Sequence, residues 1–236
     1  MSSRLEPKPR QSAAILVVVF LVLLVGLLQW VFFSHQLASP TTGLAELART
    51  ELGRAGVTNP VTAVLLNFRA LDTLLELAVL LAALLGIWSL AAATPGYQRA
   101  GPVYAGMVAW VVPLLILTAG YLLWIGAKAP GGAFQAGALL AAAGVILRLG
   151  GAEAAGLPGA VAQRWLAVAG IAVFALVGLG TLLAGRGFLN YPPAWSGWLI
   201  LLIEIFATLT IATLLAAAYV GSEDEPSTQP GGEHDG

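Results

Sequence analysis

Three charged side chains inside a hydrophobic segment are the residues of this chain best suited to chemistry. Arg69, Asp72 and Glu76 lie within residues 60–92, a segment otherwise apolar enough to cross a membrane. A charge at the centre of a bilayer costs roughly 2.5–3.5 kcal/mol on insertion scales, so such side chains pair, face protein or water, or serve a function. Spacings of three and four residues place all three on one helix face. One carboxylate then lacks a local counter-charge, as in sites that bind a proton or a sodium ion.

This charged face has two compatible interpretations. In the structural one, Arg69 neutralises Asp72, and Glu76 pairs with a charge from another helix. In the functional one, Asp72 or Glu76 exchanges a proton or coordinates an ion on a transport path. A charge pair can hold a helix in place and still take part in proton transfer, so both interpretations stay open.

Glu204 is a second acidic residue at membrane depth, near the centre of the last apolar segment. No side chain within four positions can neutralise it, and a bare carboxylate in lipid would simply be protonated. We therefore expect Glu204 to face another helix or a hydrated cavity. Its role, structural or functional, is open at this stage.

Composition places the whole chain in the all-α, polytopic membrane class. Of its 236 residues, 58% are hydrophobic and 10% are charged, which is more apolar surface than a soluble domain of this size needs. With no cysteine, and with His35 and His234 as the only histidines, we expect no cofactor, metal cluster or haem held by this chain alone. No nucleophile–base set or phosphate-binding loop suggests a self-contained enzyme, and no basic patch favours nucleic-acid binding.

Hydropathy predicts about six transmembrane helices, since a spanning helix needs about 20 mainly apolar residues. The segments that qualify are residues 13–33, 60–92, 102–125, 133–149, 165–184 and 195–220. The second is longer than a straight crossing needs. It is expected to be tilted, to be broken, or to begin in the membrane interface.

Basic residues predict how the chain is oriented. The first segment follows Arg4, Lys8 and Arg10, as a signal peptide would, but its apolar run exceeds the ~7–15 residues of a usual signal core, so we expect a retained anchor. Six loop lysines and arginines fall on the side of the N-terminus and four on the other. This bias predicts both termini in the cytoplasm.

Residues 41–54 have the pattern of a short amphipathic helix on the outer membrane surface, with a solvated connector as the alternative.

Helix-breaking residues at positions 94–102 divide the chain into modules. We predict a two-span module at residues 1–95 and a four-span module at residues 96–221. Residues 222–236 are acidic, polar and rich in glycine and proline, which predicts a disordered tail.

A short glycine-rich loop separates the third and fourth segments. Pro130 fixes one turn dihedral, and Gly131 and Gly132 permit conformations closed to other residues. A tight connection between antiparallel helices explains this pattern without any special function. Gly137 and the small residues at 141–144 then favour close helix packing.

Two of these motifs resemble parts of one family, the Mrp-type multisubunit sodium/proton antiporters. Pro130, Gly131, Gly132 and Phe134 match the Pro-Gly-Gly-Gly-Phe signature of the antiporter's B subunit, with Ala133 in place of the third glycine. The segment from Asn59 to Glu76 resembles a stretch near the C-terminus of the large A subunit. There Arg69, Asp72, Thr73 and Glu76 match the polar residues. The same module stands as a separate small subunit in membrane-bound hydrogenases.

The resemblance implies an integral membrane subunit of a monovalent cation (sodium)/proton antiporter in the cell membrane of a prokaryote. Arg69, Asp72 and Glu76 would contribute to an ion or proton path, with Glu204 as a further candidate site. The implied partners are other integral membrane subunits of an Mrp-type or hydrogenase-type complex, the lipid bilayer, sodium ions and protons. Two alternatives are an equivalent subunit of a membrane-bound hydrogenase or related respiratory complex, and a purely structural membrane scaffold.

Overall fold

The computed structural model describes residues 43–89, 101–150 and 156–220, with seven helical positions between residues 19 and 30. The described residues are helical, with short connecting turns and no strand among them. This confirms the all-α class. The chain forms two compact units, Met1–Leu47 and Ala48–Gly236. The long helices described below belong to the second unit. The first predicted span is described only at isolated positions, and the predicted tail and residues 90–100 lie outside the described residues.

The predicted amphipathic segment contains a short helix and a turn. Helix α1 is Leu44–Thr50, and a 3-10 turn follows at Leu52–Arg54. The side chain of Leu52 packs against the buried core of the second unit. Placement of this segment on a membrane surface stays a prediction.

The second predicted span is broken near its start, as one of the three alternatives anticipated. Helix α2, Pro60–Ala63, runs into a π-helical turn at Val64–Phe68, and helix α3 begins after Arg69 as Ala70–Ser89. The amide of Arg69 donates to the carbonyl of Val64 at 2.8 Å, five residues back. The break thus has a defined hydrogen-bonded form, a π-bulge, which often occurs at functional sites.

Four further helices form the rest of the described bundle. Helix α4 is Pro102–Ile125, α5 is Ala133–Leu149, α6 is Ala160–Leu183 and α7 is Ser196–Val220. The predicted bounds of α4 and α5 are confirmed, whereas α6 begins five residues before the predicted start. Helices α3, α4, α6 and α7 are long and apolar enough to cross a membrane, and α5 is a shorter apolar helix. These helices confirm a polytopic membrane protein.

Helix α7 lies at the centre of this bundle. It contacts α3, α4, α5 and α6, and it is the most buried of the long helices, whereas α4 is the most exposed. Small residues permit the close packing: a Cβ at Gly137 of α5 would lie 2.7 Å from the Ile211 side chain of α7. The predicted close approach of helices at Gly137 is therefore present.

A threonine hydroxyl also joins α6 to α7. The amide of Gly170 donates to Thr210 Oγ1 at 2.8 Å, and Thr210 Oγ1 donates to the carbonyl of Leu166 at 2.6 Å. The amide and carbonyl that would ordinarily bond each other within α6 are bridged by a side chain of α7. The two helices are therefore fixed in register by polar contacts inside an apolar bundle.

Candidate functional site

The charged face of the second span is present as the sequence predicts. Arg69 and Asp72 form an ion pair between side chains that are 70% and 46% exposed, respectively. Glu76, one turn further along α3, is exposed. Among the described residues it forms no ion pair. The unbalanced negative charge of this face therefore resides on Glu76.

These carboxylates open onto a groove between α3, α5 and α7. The groove has a volume of about 700 Å³. Asp72 and Glu76 supply its acidic groups, and its other lining residues are apolar: Leu75, Val79, Leu80, Phe134, Ala138, Ile211 and Leu215. Phe134 comes from the glycine-rich loop motif, so the groove brings together residues of the two motifs that the sequence places about 60 positions apart.

The π-helical turn sets where the charged face begins. Its last residue is Phe68, so Arg69 stands at the junction between the turn and α3. The hydroxyl of Thr73 donates to the carbonyl of Leu65 at 2.6 Å and so provides a partner for a backbone group that the break frees. Thr73, which matched the family pattern only as a polar residue, therefore stabilises the broken helix.

The glycine-rich loop folds back onto the end of α4. The amide of Gly132 donates to the carbonyl of Leu122 at 2.8 Å, and Gly132 has a φ of +108°, a conformation that favours glycine. A Cβ at Gly131 would lie 2.5 Å from the same carbonyl oxygen. The turn therefore favours glycine at both positions, and Pro130 is exposed.

Asn59 binds the other side of this loop. Its Nδ2 donates to the carbonyl of Gly126 at 3.0 Å and to that of Ala129 at 2.8 Å, while Oδ1 accepts from the amide of Val61 as an N-cap of α2. The hydroxyl of Thr62 donates to the Gly126 carbonyl as well. The start of the broken helix is thus held directly on the loop between α4 and α5.

Glu204 lies against the same loop from α7. The residue is only 2% exposed. A Cβ at Gly132 would lie 2.8 Å from its Oε1, and one at Gly126 would lie 3.3 Å away. The backbone amide of Ala133, the first residue of α5, faces the carboxyl group. Glu204 therefore faces the N-terminus of another helix, which is one of the two placements expected from the sequence.

Glu204 and the charged face form two separate sites. Glu204 is not among the residues that line the groove of Asp72 and Glu76. Asn59 and Thr62 donate to the carbonyl of Gly126 in the loop, and the Glu204 carboxyl group lies near Gly126 and Gly132 of the same loop.

The matched family covers the helices that build the Glu204 site and two of the three helices that line the groove. Residues 103–222 match a family described as a domain related to the MnhB subunit of Na⁺/H⁺ antiporters. The chain belongs to this MnhB-related family. The match confirms the resemblance of the glycine-rich loop region to the B subunit, and it covers α4–α7 together with that loop and Glu204. The resemblance of the second span to the large A subunit lies outside the matched residues and stays a prediction.

Two solved structures share the fold of the MnhB-related chain. One is the Mrp complex from Dietzia sp. DQ12-45-1b, with a TM-score of 0.58 and 21% identity over 97% of this chain and 28% of the compared chain. The MnhB-related chain thus spans little more than a quarter of that longer chain. The other is the membrane-bound sulfane sulfur reductase, an archaeal respiratory membrane complex, with a TM-score of 0.58 and 24% identity over 88% of this chain and 100% of the compared chain. No curated protein sequence matches the chain.

Sequence reasoning on the MnhB-related chain missed three residues of these sites. Asn59, Thr62 and Gly126 hold the loop, yet none was singled out as a site residue. The Asn59–Pro60 pair is a recognisable helix start, with a capping side chain followed by proline at the first helical position. Asn59 also contacts Gly126, 67 residues away, and nothing in the sequence around Asn59 predicts this contact.

Proposed function

We propose that the chain is an integral membrane subunit of a multisubunit monovalent cation/proton antiporter complex, and that the groove of Asp72 and Glu76 is part of its ion or proton path. The observation that carries this proposal is the placement of two carboxylates, with one ion-paired arginine, on an apolar groove of about 700 Å³. Membership of the MnhB-related family supports the assignment.

The charge balance of the groove favours a cationic occupant. Arg69 offsets Asp72, which leaves the charge of Glu76 exposed on a helix that is otherwise apolar enough to span a membrane. A bare carboxylate on such a surface is costly unless a partner helix, water or a cation meets it. The groove therefore requires a closing partner and attracts positive ions, which are the two properties expected of one segment of a shared path.

Partner subunits follow from the same geometry. The exposed face of α3 carries Glu76, and α4 presents large apolar side chains along its length. Both solved structures with this fold are multisubunit membrane complexes. We propose that other integral membrane subunits cover the groove, that sodium ions and protons are the transported ions, and that the complex resides in the cell membrane with both chain termini in the cytoplasm.

The test is antiport by the assembled complex carrying Glu76→Gln. The substitution keeps the size of the side chain and removes its charge. We expect sodium/proton exchange in everted membrane vesicles to be lost while the complex still purifies with all its subunits. Glu51→Gln is the matched control, because Glu51 pairs with Arg54 at the exposed turn before α2, and it should exchange ions normally. Undiminished antiport in Glu76→Gln would refute the role of the groove.

A second candidate is the equivalent subunit of a redox-driven respiratory complex. The observation that favours it is the likeness to a chain of the sulfane sulfur reductase along that chain's whole length. Co-purification of iron–sulfur proteins with this chain would support the redox complex, and their absence from an intact, exchange-competent complex would support the antiporter. A purely structural scaffold instead predicts that Glu76→Gln impairs assembly without changing ion coupling.

A further inference from the structure

Glu204 is a buried carboxyl group with an unused oxygen. Glu204 is only 2% exposed, and its Oε2 has no hydrogen-bond partner among the described residues. Oε1 lies towards Gly132, and the amide of Ala133 at the start of α5 faces the group. A carboxylate is favoured at a helix N-terminus by the exposed amides and the helix dipole. Burial in an apolar bundle favours the protonated form instead. The surroundings of Glu204 therefore favour neither the ionised nor the protonated form of its carboxyl group alone.

The atoms around Glu204 suit a proton better than a sodium ion. Hard cations bind through several oxygen ligands. The neighbouring carbonyl of Gly126 already accepts from Asn59 and Thr62, and the hydroxyl of Thr208 donates to the backbone carbonyl of Glu204 itself at 2.7 Å. The carbonyl of Gly132 likewise accepts from the Ala136 amide at 3.1 Å, and the Ala133 amide is a donor, which does not bind a cation. A side chain at either Gly126 or Gly132 would crowd the carboxyl group.

No described basic side chain holds Glu204 in its ionised form. In the described part of the chain, neither ion pair includes it. Helix α7 packs against α3, α4, α5 and α6. The ionisable groups on those helices and on the adjoining turns are Arg69, Asp72, Glu76, Tyr104, Tyr121, Lys128, Arg148, Arg164, Arg186 and Tyr191. The basic group nearest in the loop itself is Lys128, whose side chain is exposed. The charge state of Glu204 is therefore set by the loop amide and by burial.

We propose that Glu204, the loop glycines Gly126 and Gly132, and the N-terminus of α5 form a proton-binding site that excludes sodium. The loop amides stabilise the carboxylate, and Oε2 takes up the proton. This inference deepens the proposed function by naming the ion at one site, and its test does not depend on antiport.

The test is infrared difference spectroscopy of the intact complex in liposomes, with carbon-13-labelled carboxyl groups. In the wild type we expect a C=O stretching band of a protonated carboxyl group that disappears as the pH rises. Glu204→Gln should lose this band and Glu76→Gln should keep it. A band unchanged in Glu204→Gln overturns the proposal, and so does a band removed by sodium at constant pH. Failure of Glu76→Gln to affect antiport would refute the groove's role and leave this band as expected.

A second variant keeps the proposal testable if Glu204→Gln does not assemble. Gly132→Ala places a methyl group 2.8 Å from Oε1 and pushes the carboxyl group away from the Ala133 amide. Because the contact between the carboxyl group and the amide changes, the pH at which the band disappears should differ from that of the wild type. Gly185→Ala is the control, because Gly185 also has a positive φ, of +74°, and nothing within 4 Å of a Cβ. Equal midpoints in the two variants would overturn the proposal.

Discussion

Asn59 Nδ2 donates to the carbonyl oxygen of Gly126 at 3.0 Å and thereby joins the start of the broken helix to the loop that Glu204 contacts. The charged face of Arg69, Asp72 and Glu76 follows α2 by one π-helical turn. The contact connects the two acidic sites without bringing their carboxylates together.

Asn59→Ala should destabilise the chain by about 2–3 kcal/mol. The substitution removes an N-cap, which contributes about 0.5–2 kcal/mol, and it takes a donor from two buried or half-buried loop carbonyls. Thermal unfolding of the purified chain in detergent measures the change. Thr58→Val is the control, since the Thr58 hydroxyl is exposed and makes one long bond of 3.4 Å to the Ala127 carbonyl. Equal melting temperatures for the two variants would show that Asn59 does not hold the loop.

Gly137→Ala and Gly120→Ala should change stability in opposite directions. At Gly137 the added Cβ would lie 2.7 Å from the Ile211 side chain and 3.1 Å from the Thr208 carbonyl, so α5 must move away from α7 at a cost of about 1–3 kcal/mol. At Gly120, in α4, nothing lies within 4 Å of the added Cβ. Alanine there should raise stability by up to about 1 kcal/mol through helix propensity alone. Unfolding in detergent compares the two, and a stabilised Gly137→Ala would contradict the close packing.

Local features of the chain could be predicted from sequence, and long-range ones could not. The Arg69–Asp72 pair follows from helical spacing, and the start of α4 follows from Pro102. The break in the second span is accompanied by a hydrogen bond from the Thr73 hydroxyl to the Leu65 carbonyl, a contact that hydropathy does not predict. The partner of Glu204 was also hidden, because Gly132 lies 72 positions earlier and is placed beside it only by the packing of α5 on α7.

Thr210→Val should loosen the contact between α6 and α7. Its hydroxyl bridges the Gly170 amide and the Leu166 carbonyl, so valine removes the side-chain partner of both backbone groups. The expected loss of stability is about 1–3 kcal/mol. Thr213→Val is the matched control, because the buried Thr213 hydroxyl donates only to the Leu209 carbonyl of its own helix. Hydrogen exchange at the Gly170 amide should accelerate in Thr210→Val and stay unchanged in Thr213→Val. Slow exchange in both would argue against the bridge.

Tyr191, between α6 and α7, should make the fold sensitive to alkaline pH. The residue is 5% exposed, its hydroxyl has no hydrogen-bond partner among the described residues, and burial raises the pKa of the phenol above its usual range. An unfolded tyrosine loses its proton near pH 10, whereas folded Tyr191 keeps it. The unfolded state therefore binds fewer protons above that pH, and stability falls by about 1.4 kcal/mol for each further pH unit until the folded phenol also ionises.

Tyr191→Phe should remove this contribution and leave stability at neutral pH unchanged or raised by up to about 1 kcal/mol, because it deletes a buried hydroxyl without a described partner. Thermal unfolding in detergent on either side of pH 10 measures the difference from the wild type. Tyr219→Phe, at an exposed position of α7, should retain the alkaline sensitivity of the wild type. If Tyr191→Phe loses stability above pH 10 as steeply as the wild type does, the buried phenol is not the group responsible.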